Sequence, residues 1–276
     1  LNILVTAKNG QVGEALQKAA TRFGVNVIAL SRAQLDITDA GAIRYAIEQY
    51  KPDVLINAAA YTAVDRAEEE SEVAFQINCD GSEKLAKECA KKSIPLLHIS
   101  TDFVFDGEKD TPYTEDDICN PLSVYGQSKR DGEIKVQSAC SKHIILRTSW
   151  VFGGKQNFVV TMRRLAKERD SLNVVSDQHG GPTSASDIAE CLLLIAKEVV
   201  KPDFDEWGGY NYSGQPSVSW YEFACKILEN EDVSINPIPT SSYPTPAKRP
   251  ANSVLNCQKI LSVFGIEQPD WTKKLN

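Results

Sequence analysis

Short apolar runs alternating with helix-length amphipathic segments are the feature that most narrows what this chain can fold into. Asn2–Thr6, Asn26–Leu30, Val54–Asn57, Pro95–Ser100 and His143–Thr148 are rich in Val, Ile and Leu and lack strict polar alternation. Runs of this kind are strands covered on both faces. Between them Val12–Phe23, Ala40–Tyr50, Glu70–Lys91 and Leu122–Ala139 carry helical patterns, the second with Asp39 placed as its N-cap. Strand–helix repetition needs right-handed crossovers, which predicts an α/β fold with a doubly wound parallel sheet.

The later chain changes character. Phe158–Arg169 and Ser186–Val199 still read as helices and Asn173–Val175 as a short strand. Beyond Lys201 come Gly208-Gly209 and a run containing Pro237, Pro239, Pro244, Pro246 and Pro250, which predicts an extended wrapping loop. One amphipathic helix is expected at Ser219–Leu228. The expected division is a dinucleotide-binding domain at 1–152, with 173–205 packing back onto it. A smaller, mainly C-terminal substrate-binding lobe is then built from 153–172 and 206–276.

Charge removes one class of function. The 30 basic and 37 acidic side chains give a formal charge of −7, which repels phosphate backbones, so no nucleic-acid partner is expected. No apolar stretch approaches the roughly 20 residues that span a bilayer, and Leu1–Thr6 is too short for a signal peptide. The seven cysteines form no CxxC pair and read as free thiols in a reducing compartment, so a cytoplasmic location is expected. His98, His143 and His179 are far apart in sequence, and no metal site is expected.

After the first strand the chain reads Thr6-Ala7-Lys8-Asn9-Gly10-Gln11-Val12-Gly13 and enters a helix. A dinucleotide needs a tight turn here, with the backbone close to a pyrophosphate at the helix N-terminus. Gly10 and Gly13 hold the second and third glycine positions of that pattern, and Ala7 stands at the first. A ligand-free strand-to-helix turn is the plain alternative. The third strand ends in Asn57-Ala58-Ala59-Ala60-Tyr61, small residues that leave room for a flat ring; a buried Asn57 amide must find partners. At the end of the second strand stand Ser31 and Arg32, with Asp36 the first acid. A hydroxyl and a guanidinium there suit a 2′-phosphate, so NADPH is expected over NADH, with a solvated Arg32 as the alternative.

Ser100-Thr101-Asp102 follows the fourth strand, and Tyr125 and Lys129 sit one turn apart on the next helix. Residues four apart share a helix face, so both can enter one cleft. The pair suits carbonyl reduction, with Tyr125 as proton donor, Lys129 lowering the phenol's pKa, and Thr101 donating a second hydrogen bond to the same oxygen. Each residue alone is ordinary on an amphipathic helix; their shared order along the chain carries the reading.

With these residues in place the chain resembles the extended short-chain dehydrogenase/reductase family, specifically its branch acting on dTDP-linked 4-keto-6-deoxy sugars. The resemblance covers nearly the whole chain through Gly10–Gly13, Asn57–Glu68, Ser100–Gly107, Asn120–Lys129, Arg147–Phe152, Asp177–Thr183 and Pro244–Leu255. It implies a Rossmann-type domain and NAD(P)H-dependent reduction of the 4-keto group of dTDP-6-deoxy-L-lyxo-4-hexulose to dTDP-L-rhamnose, for cell-surface polysaccharide. It also implies that Thr101, Tyr125 and Lys129 are catalytic. Gly10, Gln11, Val12, Ala60, Tyr61, Thr62, Tyr125 and Lys129 would touch the cofactor, with Asp36 and Ile37 at its adenine end. Val64, Asp102 and Trp150 would face the sugar, and Lys248 and Arg249 the diphosphate. Core packing is the equal alternative for Trp150, and solvent exposure for the two cations. Two other readings stay open: a non-catalytic NAD(P)-binding regulatory subunit of the methionine adenosyltransferase type, and another nucleotide-sugar 4-ketoreductase or epimerase. Homodimerisation is left open as well.

Overall fold

In the computed structural model, which describes residues 1–275, five strands follow the apolar runs: β1 (Asn2–Val5), β2 (Asn26–Ala29), β3 (Val54–Asn57), β4 (Leu96–Thr101) and β5 (His143–Thr148). Seven more follow: β6 (Val151–Phe152), β7 (Ser171–Val175), β8 (His179–Gly180), β9 (Thr183–Ser184), β10 (Gly208–Asn211), β11 (Val218–Ser219) and β12 (Ser234–Ile238). The main sheet is parallel, in the order β2-β1-β3-β4-β5-β10.

The pleat sends successive side chains to opposite faces. Ile3, Val5, Val54, Ile56, Leu97, Ile144 and Leu146 form one core with α1 (Gln11–Phe23). Leu4, Leu55, Leu96 and Ile145 form the other with α2 (Ala40–Tyr50). Asp39 caps α2 as expected, its carboxylate accepting from the amides of Gly41 and Ala42.

The expected single helix Glu70–Lys91 is interrupted. It comprises α3 (Ser71–Phe75), a π-helical turn at Gln76–Gly81, and α4 (Ser82–Lys91). A π turn inserts an extra residue without ending the helix, so amphipathic periodicity alone conceals it. α5 (Val124–Ala139) packs across this interruption. α6 (Phe158–Ala166) and α7 (Ala185–Glu198) follow, with α7 against α1 in the first core.

The small lobe has its own core of Phe152, Val159, Met162, Leu172, Val174, Phe223, Ile227 and Trp271, covered by α6 and α8 (Trp220–Ile227). Its boundaries differ from the expected division. Gly208–Asn211 pairs in parallel with β5 as the sixth strand of the main sheet, and α9 (Gln258–Phe264) packs against it. β7 instead belongs to the small lobe, paired with β12. The proline run also differs from an all-loop reading, because Pro237 lies within β12. Ser234 donates its amide toward the partner strand, to the Asp170 carbonyl. Alternation therefore turns the Pro237 nitrogen outward, where no ladder bond is needed.

No described helix is long and apolar enough to cross a membrane.

Candidate active site

The carboxyl ends of β1 and β3 diverge in chain order, and such a switch point opens a crevice above the sheet. Gly10 is the N-cap of α1 and offers no side chain to its first turn, leaving amides there for a ligand. A Cβ at Gly13 would overlap the Ala7 carbonyl oxygen, so the third glycine allows the turn to close on itself. Ala7 adopts φ 55°, the left-handed conformation that glycine enters without strain. The chain bears a cost of about 1–2 kcal/mol there. This geometry fits a dinucleotide pyrophosphate. Val12 is buried in the first core, while the Gln11 side chain accepts from the Gly154 amide at 3.2 Å and ties the turn to the loop before α6.

At the end of β2, Ser31 is held by Gln34 through both its amide and its hydroxyl. Arg32 is 74% exposed and pairs with Asp36 at 3.3 Å. Hydrogen bonds from Thr38, foremost from its amide, hold the Asp36 carboxyl below the usual range. Arg32 is thus an exposed cation paired beside the turn. The Ile37 side chain packs in the second core and touches Gly81, so only its backbone is free to face a ligand.

The loop after β3 carries Ala60, Tyr61, Thr62 and Val64. Asn78, in the π turn, accepts from the Tyr61 amide at 2.8 Å and donates to the Tyr61 carbonyl at 3.1 Å. It also donates to the Ser128 hydroxyl on α5 at 2.9 Å, so one buried amide joins the loop, the π turn and α5. Gly132 permits this closeness, because a Cβ there would overlap the Asn78 carbonyl oxygen. The Tyr61 phenol donates to Glu70 at 2.5 Å.

Thr101 ends β4 and Ser123 caps α5 by accepting from the Gly126 amide, which points the first turn of α5 at the same edge of the sheet. A Cβ at Gly126 would overlap the Phe103 carbonyl oxygen, so α5 sits directly on the turn after β4. Tyr125 makes an edge contact with Phe103, ring centroids 5.7 Å apart. Burial pushes the Tyr125 phenol up to about 12, with Thr101 bonding opposing it and Asp102 adding to it. The expected lowering by Lys129 is absent. Lys129 is 1% exposed and donates a hydrogen bond to the Ile99 carbonyl at 2.7 Å, with His98 Nε2 3.4 Å away. Burial brings the Lys129 amine down to about 8.

Thr101 also departs from expectation: its hydroxyl donates to Asp102 Oδ1 at 2.9 Å and accepts from the Phe103 amide. It must rotate to serve a ligand oxygen. Asp102 is 2% exposed, its Oδ2 has no hydrogen-bond partner, and burial raises its carboxyl to about 6. Beneath the group, Glu133 and Arg147 form a buried bidentate pair at 2.9 and 2.8 Å. Burial disfavours the Glu133 charge, but the Arg147 guanidinium prevails and keeps its carboxyl below the usual range.

On the lobe side Trp150 stacks on Trp220, centroids 3.5 Å apart and planes 8° from parallel, with Gly180 against its ring. Trp150 adopts φ 47°, a strained conformation for a bulky residue and one that clusters at ligand sites. Arg249 is not a free cation. It grips Asp65 bidentately at 3.1 and 2.8 Å and pins the Pro244–Leu255 segment to the loop after β3, while Lys248 is exposed.

A family described as RmlD substrate binding domain matches residues 1–276. A dTDP-4-dehydrorhamnose reductase of Aggregatibacter actinomycetemcomitans is 46% identical over 99% of this chain and 96% of its own. The crystal structure of a dTDP-4-dehydrorhamnose reductase from Clostridium acetobutylicum superposes with a TM-score of 0.94 at 39% identity, covering 100% of this chain and 97% of the other. One from Bacillus anthracis, in complex with NADP, gives 0.93 at 34% identity, covering 99% and 96%. The chain belongs to the dTDP-4-dehydrorhamnose reductase family, with the Rossmann-type fold of the extended short-chain dehydrogenases/reductases.

Proposed function

We propose that this chain reduces the 4-keto group of a dTDP-linked 6-deoxy-4-hexulose to give dTDP-L-rhamnose for surface polysaccharide, using NADPH. The observation that carries the reading is the convergence of Thr101, Asp102, Tyr125 and Lys129 at one sheet edge, beside an uncapped helix N-terminus. Reductases of the same family lend support, one of them solved with NADP.

The reduced nicotinamide, when bound, supplies the hydride. Gly10, Gln11 and the first turn of α1 would hold its pyrophosphate, and Arg32 would pair with the 2′-phosphate by releasing Asp36. Ala60, Tyr61 and Thr62 would face the cofactor through their backbone, with Lys129 at its ribose. Tyr125 keeps its proton at neutral pH and donates it to the sugar oxygen as negative charge develops there. Thr101, rotated off Asp102, gives the same oxygen a second hydrogen bond. Trp150 and Val64 would wall the sugar. For the diphosphate, Arg249 serves only after leaving Asp65, which makes it a closing latch as well as a ligand.

The deciding experiment mixes purified chain with NADPH and dTDP-6-deoxy-L-lyxo-4-hexulose. Loss of reduced-nicotinamide absorbance matching dTDP-L-rhamnose formation is expected. NADPH binding without turnover would favour the non-catalytic subunit reading, and turnover of a different keto-sugar alone would redirect the substrate.

A further inference from the structure

A chain of buried polar groups runs beneath the crevice from β1 to α5. The Thr6 hydroxyl accepts from the amides of Ala58 and Ala59, both at 3.0 Å. Its own proton therefore goes to Asn57 Oδ1, 2.8 Å away, which also accepts from the Ala59 amide. With the carboxamide oxygen so engaged, the Asn57 nitrogen is the atom facing His98 Nδ1, at 3.0 Å. An amide nitrogen only donates, so Nδ1 must accept and the ring proton must sit on Nε2. That N–H faces the Lys129 nitrogen at 3.4 Å. Thr6 and His98 are fully buried, and Asn57 and Lys129 are each 1% exposed.

An N–H aimed at an ammonium is repelled, whereas aimed at a neutral amine it finds a lone pair. We propose that His98 is a positioning residue: in the tautomer imposed by Thr6 and Asn57, it sets the proton count of Lys129 and fixes the amine at the edge of the cofactor crevice. The proposal rests on the reductase reading only in assigning Lys129 a place beside the cofactor.

The surroundings leave His98 room to act. From β5, Arg147 faces Glu133 rather than Lys129. Glu133, one turn along α5, favours the ammonium but is already bound by Arg147 and Arg130. From the π turn Asn78 offers α5 an uncharged amide. From α4 Glu83 pairs with Lys135, two turns away and exposed. Tyr125 precedes Lys129 by one turn and stays protonated, and Asp102 after β4 acts on Tyr125. On β4, besides the Ile99 carbonyl, His98 is the polar group against the amine. Burial holds the imidazole well below its ordinary value, so it stays neutral while the amine titrates.

Two measurements test this on the intact chain. In nitrogen NMR spectra of the histidine rings, His98 should show a neutral Nε2–H tautomer from mildly acidic to mildly basic pH. A dominant Nδ1–H form, or an imidazolium titrating in that range, overturns the proposal. The second follows NADPH dissociation constants across pH for the wild type, His98→Gln and His98→Phe. Gln keeps an N–H near the Nε2 position and should leave the basic limb where it is; Phe should move it up by about one pH unit. A limb unmoved in His98→Phe, with only weaker binding, would mean a purely structural role. Should His98→Phe not fold, the tautomer decides. Failure to reduce the dTDP sugar would remove the function reading while leaving both readouts in force.

Discussion

Replacing Asp102 by Asn should stabilise this protein at neutral pH, at the edge of its candidate active site. The Asp102 carboxyl is 2% exposed, with one oxygen bonded by Thr101 and the other without a partner. Raising it from 3.8 to about 6 through burial corresponds to about 3 kcal/mol of preference for the neutral acid. The sign follows from proton counts. Between those values the folded chain binds more protons than the unfolded one, so stability falls as pH rises through about 6. Asn carries no charge and escapes that loss, although its new amide lacks a set partner, which takes back about 1 kcal/mol. The variant should therefore be more stable than the wild type by about 2 kcal/mol above pH ~7. The advantage should disappear below pH ~4, where both side chains are neutral. Urea unfolding of both proteins over that pH range measures the difference. A gap independent of pH, or a variant less stable at pH ~8, would refute the assignment of a strained carboxylate at this position.

Tyr125→Phe should lower kcat by a factor of about 10²–10⁴ while NADPH affinity changes little, read by single-turnover kinetics and direct titration. Gly132→Ala pushes a methyl into the Asn78 carbonyl and should cost about 1–3 kcal/mol in urea unfolding. Glu133→Gln leaves the buried Arg147 charge without its bidentate partner and should cost about 3–5 kcal/mol in the same assay. Arg32→Ala should narrow the preference for NADPH over NADH by about tenfold in kcat/KM, since only NADPH offers a phosphate to the guanidinium. An unchanged ratio would return Arg32 to the solvent.

The main sheet was legible because its central strands are buried on both faces and spell themselves out as apolar runs. β10 escaped because Gly208-Gly209-Tyr210-Asn211 is short, glycine-rich and at the sheet edge, where no continuous apolar run is required. The candidate group was legible for a local reason: Thr101 ends a strand with Asp102 next to it, and Tyr125 and Lys129 lie one turn apart. What Lys129 touches was not. His98 reaches it from a neighbouring strand, and only the need of a buried Asn57 for partners hinted at such a network. The pairing of Arg249 with Asp65 was not legible, because the partner stands 184 residues away. Sequence spacing carries no trace of such a pair. The π turn around Asn78 was hidden for the opposite reason, since a helix with one extra residue keeps nearly the same pattern on either side.

The place of β10 in the sheet bears on how the chain is made. As it leaves the ribosome, β1 through β5 can pair long before residue 208 exists, and until then the outer edge of β5 presents a row of unpaired backbone donors and acceptors. The small lobe is later still, because it needs α8 and Trp271 to close its core. The half that would carry the cofactor must therefore wait, with one side open to other nascent strands, until β10 has been made. Chains cut short before residue 208 should be found in aggregates rather than as smaller soluble domains.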